Sequence, residues 1–216
     1  MAKIQLKSDN INPFGGLFSI FNQFDRSGLR QAIDEHLGRR GATRAAFTHG
    51  DVFASMFGSY LCGGDCIVDV MDIKPFWDKR ESIRVCSSDV ILRTLRNLSC
   101  ENVSYQSDRK KAYAFNVNDK MNSLLMKCLA ATGQLNPGDC VNLDFDHQFI
   151  AAAILKNFYL HLLDVIGGRV KGLDRTARLK RFMRLFVIVP AKWIKSGRRN
   201  VLNLYTKRRI YLELSF

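Results

Sequence analysis

The segment Val141 to Phe149, VNLDFDHQF, places two carboxylates two positions apart in a run of alternating apolar and polar residues. Because successive side chains of a strand point to opposite faces, Asp144 and Asp146 share one face. Two like charges at neighbouring positions repel each other, and a bound cation offsets that repulsion. Mg²⁺ commonly takes one or two carboxylates together with water and substrate phosphate. The segment is therefore either part of a metal site or the solvated outer face of an edge strand.

Positive charge is concentrated in the last third of the chain. The net charge is +13 over 216 residues, yet residues 1–146 hold 18 Lys and Arg against 17 Asp and Glu. Residues 147–216 hold 15 Lys and Arg, and their acids are Asp164, Asp174 and Glu213. A field of this kind attracts polyanions, either nucleic acid or an anionic membrane surface.

The composition, 47% hydrophobic and 25% charged, indicates a globular chain that can bury a core in one or two domains. No signal-peptide pattern or uninterrupted apolar span is visible, so we expect a cytoplasmic protein without a membrane segment. The six cysteines form no C-x-x-C pair, which favours reduced thiols. A zinc site built from Cys62, Cys66, Cys86 and Cys100 is conceivable but fits no common ligand spacing.

Helical spacing of apolar residues dominates the first 135 residues. We predict helices over Leu17 to Phe24 and over Leu29 to Leu37, with Gly38 as the stop of the second. A further helix is predicted to begin after Asn118, which is a good N-cap, and to end at Gly133.

A helix-turn-helix-like unit is predicted between these helices. Thr48 and Asp51 form a capping pattern at the start of an apolar stripe that ends at the glycine turn of residues 62–64. A second short helix is predicted from Asp65 to Ile73. Two helices joined by so tight a turn are typical of helix-turn-helix units.

The third helix of this region, from Ser88 to Leu98, is the better candidate for a DNA groove. Its Arg93 and Arg96 are three residues apart and project from one face. The helix from Asp65 instead carries Asp69 and Asp72, which phosphates repel. The alternative for the two arginines is an ordinary solvated basic face.

The carboxy-terminal region is predicted to be helical and basic. Ala151 to Leu163 is expected to be an apolar helix, Phe182 to Val189 an apolar strand or helix, and Pro190 to Leu204 a basic amphipathic helix. On that last helix the candidate phosphate contacts are Lys192, Lys195, Arg198 and Arg199. One alternative is an interfacial helix on anionic lipid with Trp193 inserted. Another is a surface helix packed on the core with its basic face in solvent.

Seven blocks of the sequence resemble bacterial insertion-sequence transposases of the DDE class. Five resemble the amino-terminal part of that family: MAKIQLKSDNINPFGG, YLCGGDCIVDV, CSSDVILRTLRNLSCENVSYQSD, FNVNDKMNSLLMKCLAATGQL and LDFDHQFI. Two resemble its carboxy-terminal end: KNFYLHLL and LKRFMRLFVIVPAKWIKSGRRNVLNLYT. The blocks follow one another in the family's order and cover nearly the whole chain.

The resemblance implies a helical DNA-binding domain followed by an RNase H-like domain that performs Mg²⁺-dependent cut-and-paste transposition. In that chemistry, two metal ions held by three carboxylates stabilise the attacking and leaving oxygens. By resemblance, Asp146 is the first of the three carboxylates and a metal ligand, with Asp144 as the alternative.

The chain departs from the family after Asp146, where the segment with the second aspartate and the Tyr-x-x-Arg-x-x-x-Glu signature is missing. None of the remaining acids, Asp164, Asp174 and Glu213, has Tyr and Arg at the required offsets. The chain therefore resembles an internally deleted copy that retains both ends of a transposase. We expect it to be catalytically inactive and to hold Mg²⁺ poorly, because two of the three carboxylates are absent.

The expected fold is α+β and mostly α. The expected domains are a helical DNA-binding domain at residues 1–135, a first catalytic strand at 136–150 and a basic helical segment at 151–216. Without its neighbouring strands, the catalytic remnant is expected to fold poorly unless the carboxy-terminal segments find a substitute packing.

The expected function is binding of double-stranded inverted-repeat ends, either in competition with intact transposase or as a relic with no role. The alternative is an active Mg²⁺-dependent transposase or nuclease that takes its carboxylates from Asp164 and Asp174 or from another subunit.

Overall fold

The computed structural model describes residues 11–41, 46–77, 83–99, 102–106, 108, 111–116, 118–139 and 150–214. The helices are α1 (Leu17–Arg26), α2 (Leu29–Leu37), α3 (His49–Leu61), α4 (Val70–Trp77), α5 (Ser88–Leu98), α6 (Asp119–Ala131), α7 (Ile150–Ile166), α8 (Leu179–Phe182) and α9 (Ile210–Glu213). Two antiparallel hairpins pair β1 (Asn102–Gln106) with β2 (Ala112–Asn116) and β3 (Ala191–Ser196) with β4 (Arg199–Leu204). The fold is thus mostly α with a small β component, which confirms the predicted α+β class.

The helix ends follow the local signals in the sequence. At the start of α3, the Thr48 hydroxyl accepts a bond from the Asp51 N–H at 3.1 Å, and the Asp51 carboxylate accepts one from the Thr48 N–H at 2.9 Å. The Asn118 side chain accepts a bond from the Met121 N–H at 3.0 Å. Gly38 ends α2 with a φ of 73°, a conformation that favours glycine. These predicted boundaries are confirmed.

The segment after α3 differs from the prediction. The turn at residues 62–64 leads into a 3-10 turn, Ile67–Asp69, and α4 begins only at Val70. The Asp69 carboxylate accepts the N–H groups of Asp65 and Cys66 at 2.7 and 2.8 Å. Because that carboxylate caps the 3-10 turn, the helix starts later than the apolar spacing alone indicates.

The carboxy-terminal half packs against the amino-terminal helices through a cluster of aromatic rings. Phe158 of α7 is 1% exposed. Its ring centroid lies 5.0 Å from that of Phe24 on α1 and 4.4 Å from that of Phe57 on α3. On the other side of α7, the Asn157 side chain bonds to the Thr132 hydroxyl at 3.2 Å. The carboxy-terminal segments therefore share one packed core with the amino-terminal helices.

The chain after α8 winds into one π-helical stretch, Met183–Val187, and then returns to the amino terminus. Residues Asn12 and Gly15 bond to this returning segment: the Asn12 N–H reaches the Ala191 carbonyl at 2.7 Å, and the Gly15 N–H reaches the Val189 carbonyl at 2.7 Å. A Cβ on Gly16 would lie 1.9 Å from the Phe186 carbonyl oxygen. Glycine is therefore required for this close approach.

The prediction of a basic amphipathic helix over Pro190 to Leu204 is wrong, because these residues form the β3–β4 hairpin. Gly197 lies in the tight turn between the strands with a φ of 59°. Trp193 of β3 packs edge-to-face against Phe18 at 6.0 Å and Trp77 at 5.9 Å between ring centroids. An apolar face of this hairpin is anchored on α1 and α4, which gives the sequence a packing that a surface helix lacks.

The interfacial-helix alternative loses its basis, since residues 191–204 form a hairpin and the half-buried Trp193 packs against Phe18 and Trp77. Within the described part of the chain, no helix has both the length and the apolar character needed to cross a bilayer.

Candidate nucleic-acid interface

A cleft of about 1090 Å³ opens between β4 and the segment that follows it. Its lining comprises Phe18, Trp193, the continuous run of residues 198–209, Tyr211 and Leu212. The hairpin forms one wall, and the turn into α9 forms the other. Phe18 and Trp193 hold the base of the cleft against α1, so its position is fixed by the core.

The lining of the cleft is strongly basic. Five of its side chains are cationic, and all five are exposed: Arg198, Arg199, Lys207, Arg208 and Arg209. None of the lining residues is Asp or Glu. A concave surface lined by one sign of charge concentrates the field and attracts anions such as phosphates.

The wall of the cleft that leads into α9 is held in place by the buried Tyr211. The Tyr211 hydroxyl donates to the Phe186 carbonyl at 2.7 Å, which ties α9 to the π-helical stretch. Burial raises the pKa of Tyr211 to about 12, so this hydroxyl remains a donor at neutral pH. Residues 207–209, which carry three of the cations, are therefore followed directly by a helix that is bonded to the core.

The hairpin separates residues that the helical prediction placed on one surface. In the observed register, Trp193 is paired with Leu202 and Lys195 with Asn200, so these four side chains share one face of the hairpin, the face by which Trp193 packs on Phe18 and Trp77. Lys192 lies on the opposite face. Lys195, Arg198 and Arg199 are exposed near the tip of the hairpin, whereas Lys192 is half-buried near its base. The predicted set is thus brought into one hairpin but not onto one face.

The second predicted contact surface lies on α5. Arg93 and Arg96 are both exposed, whereas Ile91 and Thr94 on the opposite side of the helix are buried. The Thr94 hydroxyl donates to the Val90 carbonyl at 2.7 Å. The helix therefore packs on the rest of the protein by one face and offers both arginines to solvent by the other.

The predicted metal ligands Asp144 and Asp146 lie outside the described residues. The acids that the alternative function requires are engaged elsewhere. Asp164 pairs with Arg175 at 2.5 Å, and Asp174 accepts the Thr176 N–H at 3.0 Å. Across the described ranges, no group of three or more His, Cys, Asp or Glu side chains is placed to hold a metal ion.

The cysteines considered for zinc are thiols in different surroundings. Burial raises the pKa of Cys62 to about 12 and that of Cys86 to about 11. Both groups are therefore neutral thiols at neutral pH. Cys66 is exposed, and Cys100 lies outside the described residues.

Comparison of the chain with protein families, with curated proteins and with solved structures finds no match.

The residues that sequence reasoning missed are Lys207, Arg208 and Arg209. Their signal was present as the consecutive cations KRR just after the predicted helix, but only the folded structure shows that they line the same cleft as Arg198 and Arg199.

Proposed function

We propose that this chain is a transposase-derived DNA-binding protein that binds double-stranded inverted-repeat ends without cleaving them. The observation that carries the proposal is the basic cleft, whose lining holds five cations and no carboxylate. The resemblance to both ends of a DDE transposase supplies the target, the terminal repeats of the parent element. Competition with intact transposase for those repeats, in the cytoplasm, is part of the same proposal.

The base contacts are assigned to α5. Arg93 and Arg96 project from the exposed face of a helix whose other face is buried, which is the arrangement that a major groove accepts. A bidentate arginine on guanine is the commonest specific contact of such a helix. Loss of either side chain should reduce affinity for the repeat by about 1 to 3 kcal/mol and should affect random duplex less.

The phosphate contacts are assigned to the cations of the hairpin tip and of residues 207–209. Contacts of this kind position the protein on DNA and make affinity fall with salt, because each neutralised phosphate releases counterions. They are expected to be independent of sequence.

Phosphodiester cleavage is not expected from this chain. The resemblance requires three carboxylates around two Mg²⁺ ions, and after Asp146 the acids are Asp164, Asp174 and Glu213. The Asp164 carboxylate is paired with the Arg175 guanidinium, and the Asp174 carboxylate accepts a hydrogen bond from the Thr176 hydroxyl. Glu213 lies 3.9 Å from the Arg169 guanidinium. These residues do not fit the metal site of the family, so Mg²⁺ is expected to have no effect on the DNA.

The salt dependence of duplex binding tests the phosphate assignment. A variant with Arg198→Gln, Arg199→Gln and Lys207→Gln removes three cations from the cleft. The slope of the logarithm of the binding constant against the logarithm of salt concentration should become shallower by about 2.7, or roughly 0.9 for each lost contact. The measurement is fluorescence anisotropy with a labelled duplex over a range of NaCl concentrations.

The matched control removes three exposed cations from other helices and loops: Lys127→Gln, Lys156→Gln and Lys171→Gln. It lowers the net charge equally but leaves the cleft intact, so its salt slope should stay close to that of the parent chain. Equal slopes for the two variants would assign the effect to net charge and remove the cleft from the proposal.

A further inference from the structure

The second strand of the carboxy-terminal hairpin has an open edge. β4 pairs with β3 along one side, and in the described part of the chain no strand covers its other side. The Tyr205 N–H donates to the Pro190 carbonyl at 2.8 Å, so this pair is bonded across the hairpin. Residues of an antiparallel pair alternate between facing the partner and facing away. The main-chain groups that face away from β3 therefore belong to Asn200, Leu202 and Leu204.

The opposite strand confirms this alternation. Ala191 stands opposite Leu204 in the register. Instead of bonding to β4, the Ala191 N–H and carbonyl bond outward to Asn12 at 2.8 and 2.7 Å. The outer edge of β3 is thus covered at this point, whereas the corresponding edge of β4 is open.

The basic cleft runs along β4. All of β4 contributes to the lining, and the residues whose main-chain groups face away from β3 run from Asn200 to Leu204. At a rise of about 3.3 Å per residue, this edge is roughly 13 Å long and matches an extended segment of about five residues. Unpaired N–H and C=O groups in such a row are a template for another strand.

The charges around the open edge of β4 indicate which charge its partner carries. Arg198 and Arg199 lie at the turn end of the edge, and the cations of residues 207–209 lie beyond its other end. A second copy of this chain would bring the same cations against them, and like charges oppose that pairing. An extended segment with carboxylates is complementary both to the main-chain edge and to the cations at its ends.

We propose that the open edge of β4 binds an extended acidic segment of a partner protein, which adds to the hairpin as a third strand. This interaction goes beyond the proposed DNA binding and does not depend on it. Main-chain bonds supply the ladder, and carboxylates of the segment pair with the cations of the cleft.

The test uses the full chain and a fluorescein-labelled eight-residue peptide in which Glu and Thr alternate. Two peptide controls separate the contributions. The first is N-methylated at every second residue, which removes the ladder donors on one edge and keeps the charge. The second replaces each Glu by Gln, which keeps the ladder and removes the charge. The parent peptide should bind, and each control should bind at least ten-fold more weakly in fluorescence anisotropy.

A pair of protein variants at one position tests the edge directly. Asn200→Pro removes an outward-facing N–H and is compatible with an edge strand, whereas Asn200→Ala keeps that N–H. The proline variant should bind the parent peptide about five-fold more weakly, as expected for one net hydrogen bond, and the alanine variant should bind it normally. Tryptophan fluorescence, which reports on the contact between Trp77 of α4 and Trp193 of β3, checks that the hairpin remains packed in both variants.

Duplex DNA is measured in parallel, so that failure of the two proposals can be told apart. Asn200→Pro and Asn200→Ala remove the same side chain from the cleft lining and differ in the main-chain N–H, so the two variants should bind duplex DNA equally. The strand proposal is overturned if the N-methylated peptide binds as tightly as its parent, or if the parent peptide does not bind. It is also overturned if single-stranded oligothymidylate binds more tightly than the peptide and is unaffected by Asn200→Pro, because the cleft would then be a polyanion groove.

Discussion

Replacing Phe158 by alanine should destabilise the whole protein, because this side chain joins the carboxy-terminal half to the amino-terminal helices. Its ring is buried at 1% exposure and makes edge-to-face contacts with Phe24 and Phe57. Removing a buried phenylalanine ring costs about 3 to 5 kcal/mol, which is a large share of the 5 to 15 kcal/mol that stabilises a typical domain. For a chain of this size, that loss lowers the Tm by roughly 6 to 20 °C.

The assay is urea and thermal unfolding followed by circular dichroism. The matched control is Leu160→Ala on the same helix, since Leu160 is 40% exposed and its loss should cost about 0.5 kcal/mol or less. If Phe158→Ala and Leu160→Ala have the same small effect, α7 does not pack on α1 and α3 in solution. A two-step unfolding curve for the parent chain would also contradict the single aromatic cluster described here.

Three further predictions concern the described core and its thiols. Asp51→Ala should lower the free energy of unfolding by about 1 to 2 kcal/mol, because it removes the carboxylate half of the capping box of α3 and one of the two carboxylates that pair with Arg30, which keeps Asp25 at 2.5 Å; urea unfolding measures the loss. Burial lowers the pKa of His49 below its usual 6.5, so the unfolded chain takes up the proton more readily and stability should fall as the pH drops below about 6.5. His49→Gln should reduce that fall in urea midpoints between pH 7.5 and 5. In native protein at pH 8, iodoacetamide should label Cys66 faster than Cys62 or Cys128, whose pKa values burial raises to about 12; peptide mass spectrometry gives the rates.

Each of these three has a distinct contrary result. An Asp51→Ala variant as stable as the parent would show that the capping box and ion pair add nothing. A pH slope that is the same with and without His49 would assign the acid sensitivity to other groups. Labelling of Cys62 at the rate of Cys66 would mean that the carboxy-terminal end of α3, where Cys62 lies, is open to solvent in the native protein.

The helical part of the fold was predictable because its signals are local. Gly38 and Asn118 mark helix ends through their own backbone and side chain, and the apolar stripe of α5 gives its bounds as Ser88–Leu98 without any knowledge of neighbours. The 3-10 turn before α4 was not predicted because it depends on the Asp69 carboxylate, which accepts the Cys66 N–H. Such a bond from a side chain to the nearby backbone competes with helix formation, and the spacing of apolar residues gives no sign of it.

The β3–β4 hairpin was not predicted because the residues of this segment fit both the helical period of about 3.6 residues and the strand period of about two. Lys192, Lys195 and Arg199 fit helical spacing, whereas Trp193 and the Gly197 turn fit a two-stranded hairpin. The choice is made by tertiary contacts, since Trp193 packs against rings that lie more than one hundred residues away in the sequence. A cleft that joins Phe18 to the end of the chain has no local signal at all.

The measurement that tests the proposed end recognition is a gel-shift titration of the purified chain with the inverted-repeat end of an insertion element of the proposed family against scrambled duplex, at near-physiological salt and with Mg²⁺ present. We expect selective binding of the repeat, loss of that selectivity in the Arg93→Ala, Arg96→Ala double variant, and no cleavage of either duplex. Equal affinity for repeat and scrambled DNA would contradict end recognition. Cleavage that requires Mg²⁺ would contradict the proposed catalytic inactivity.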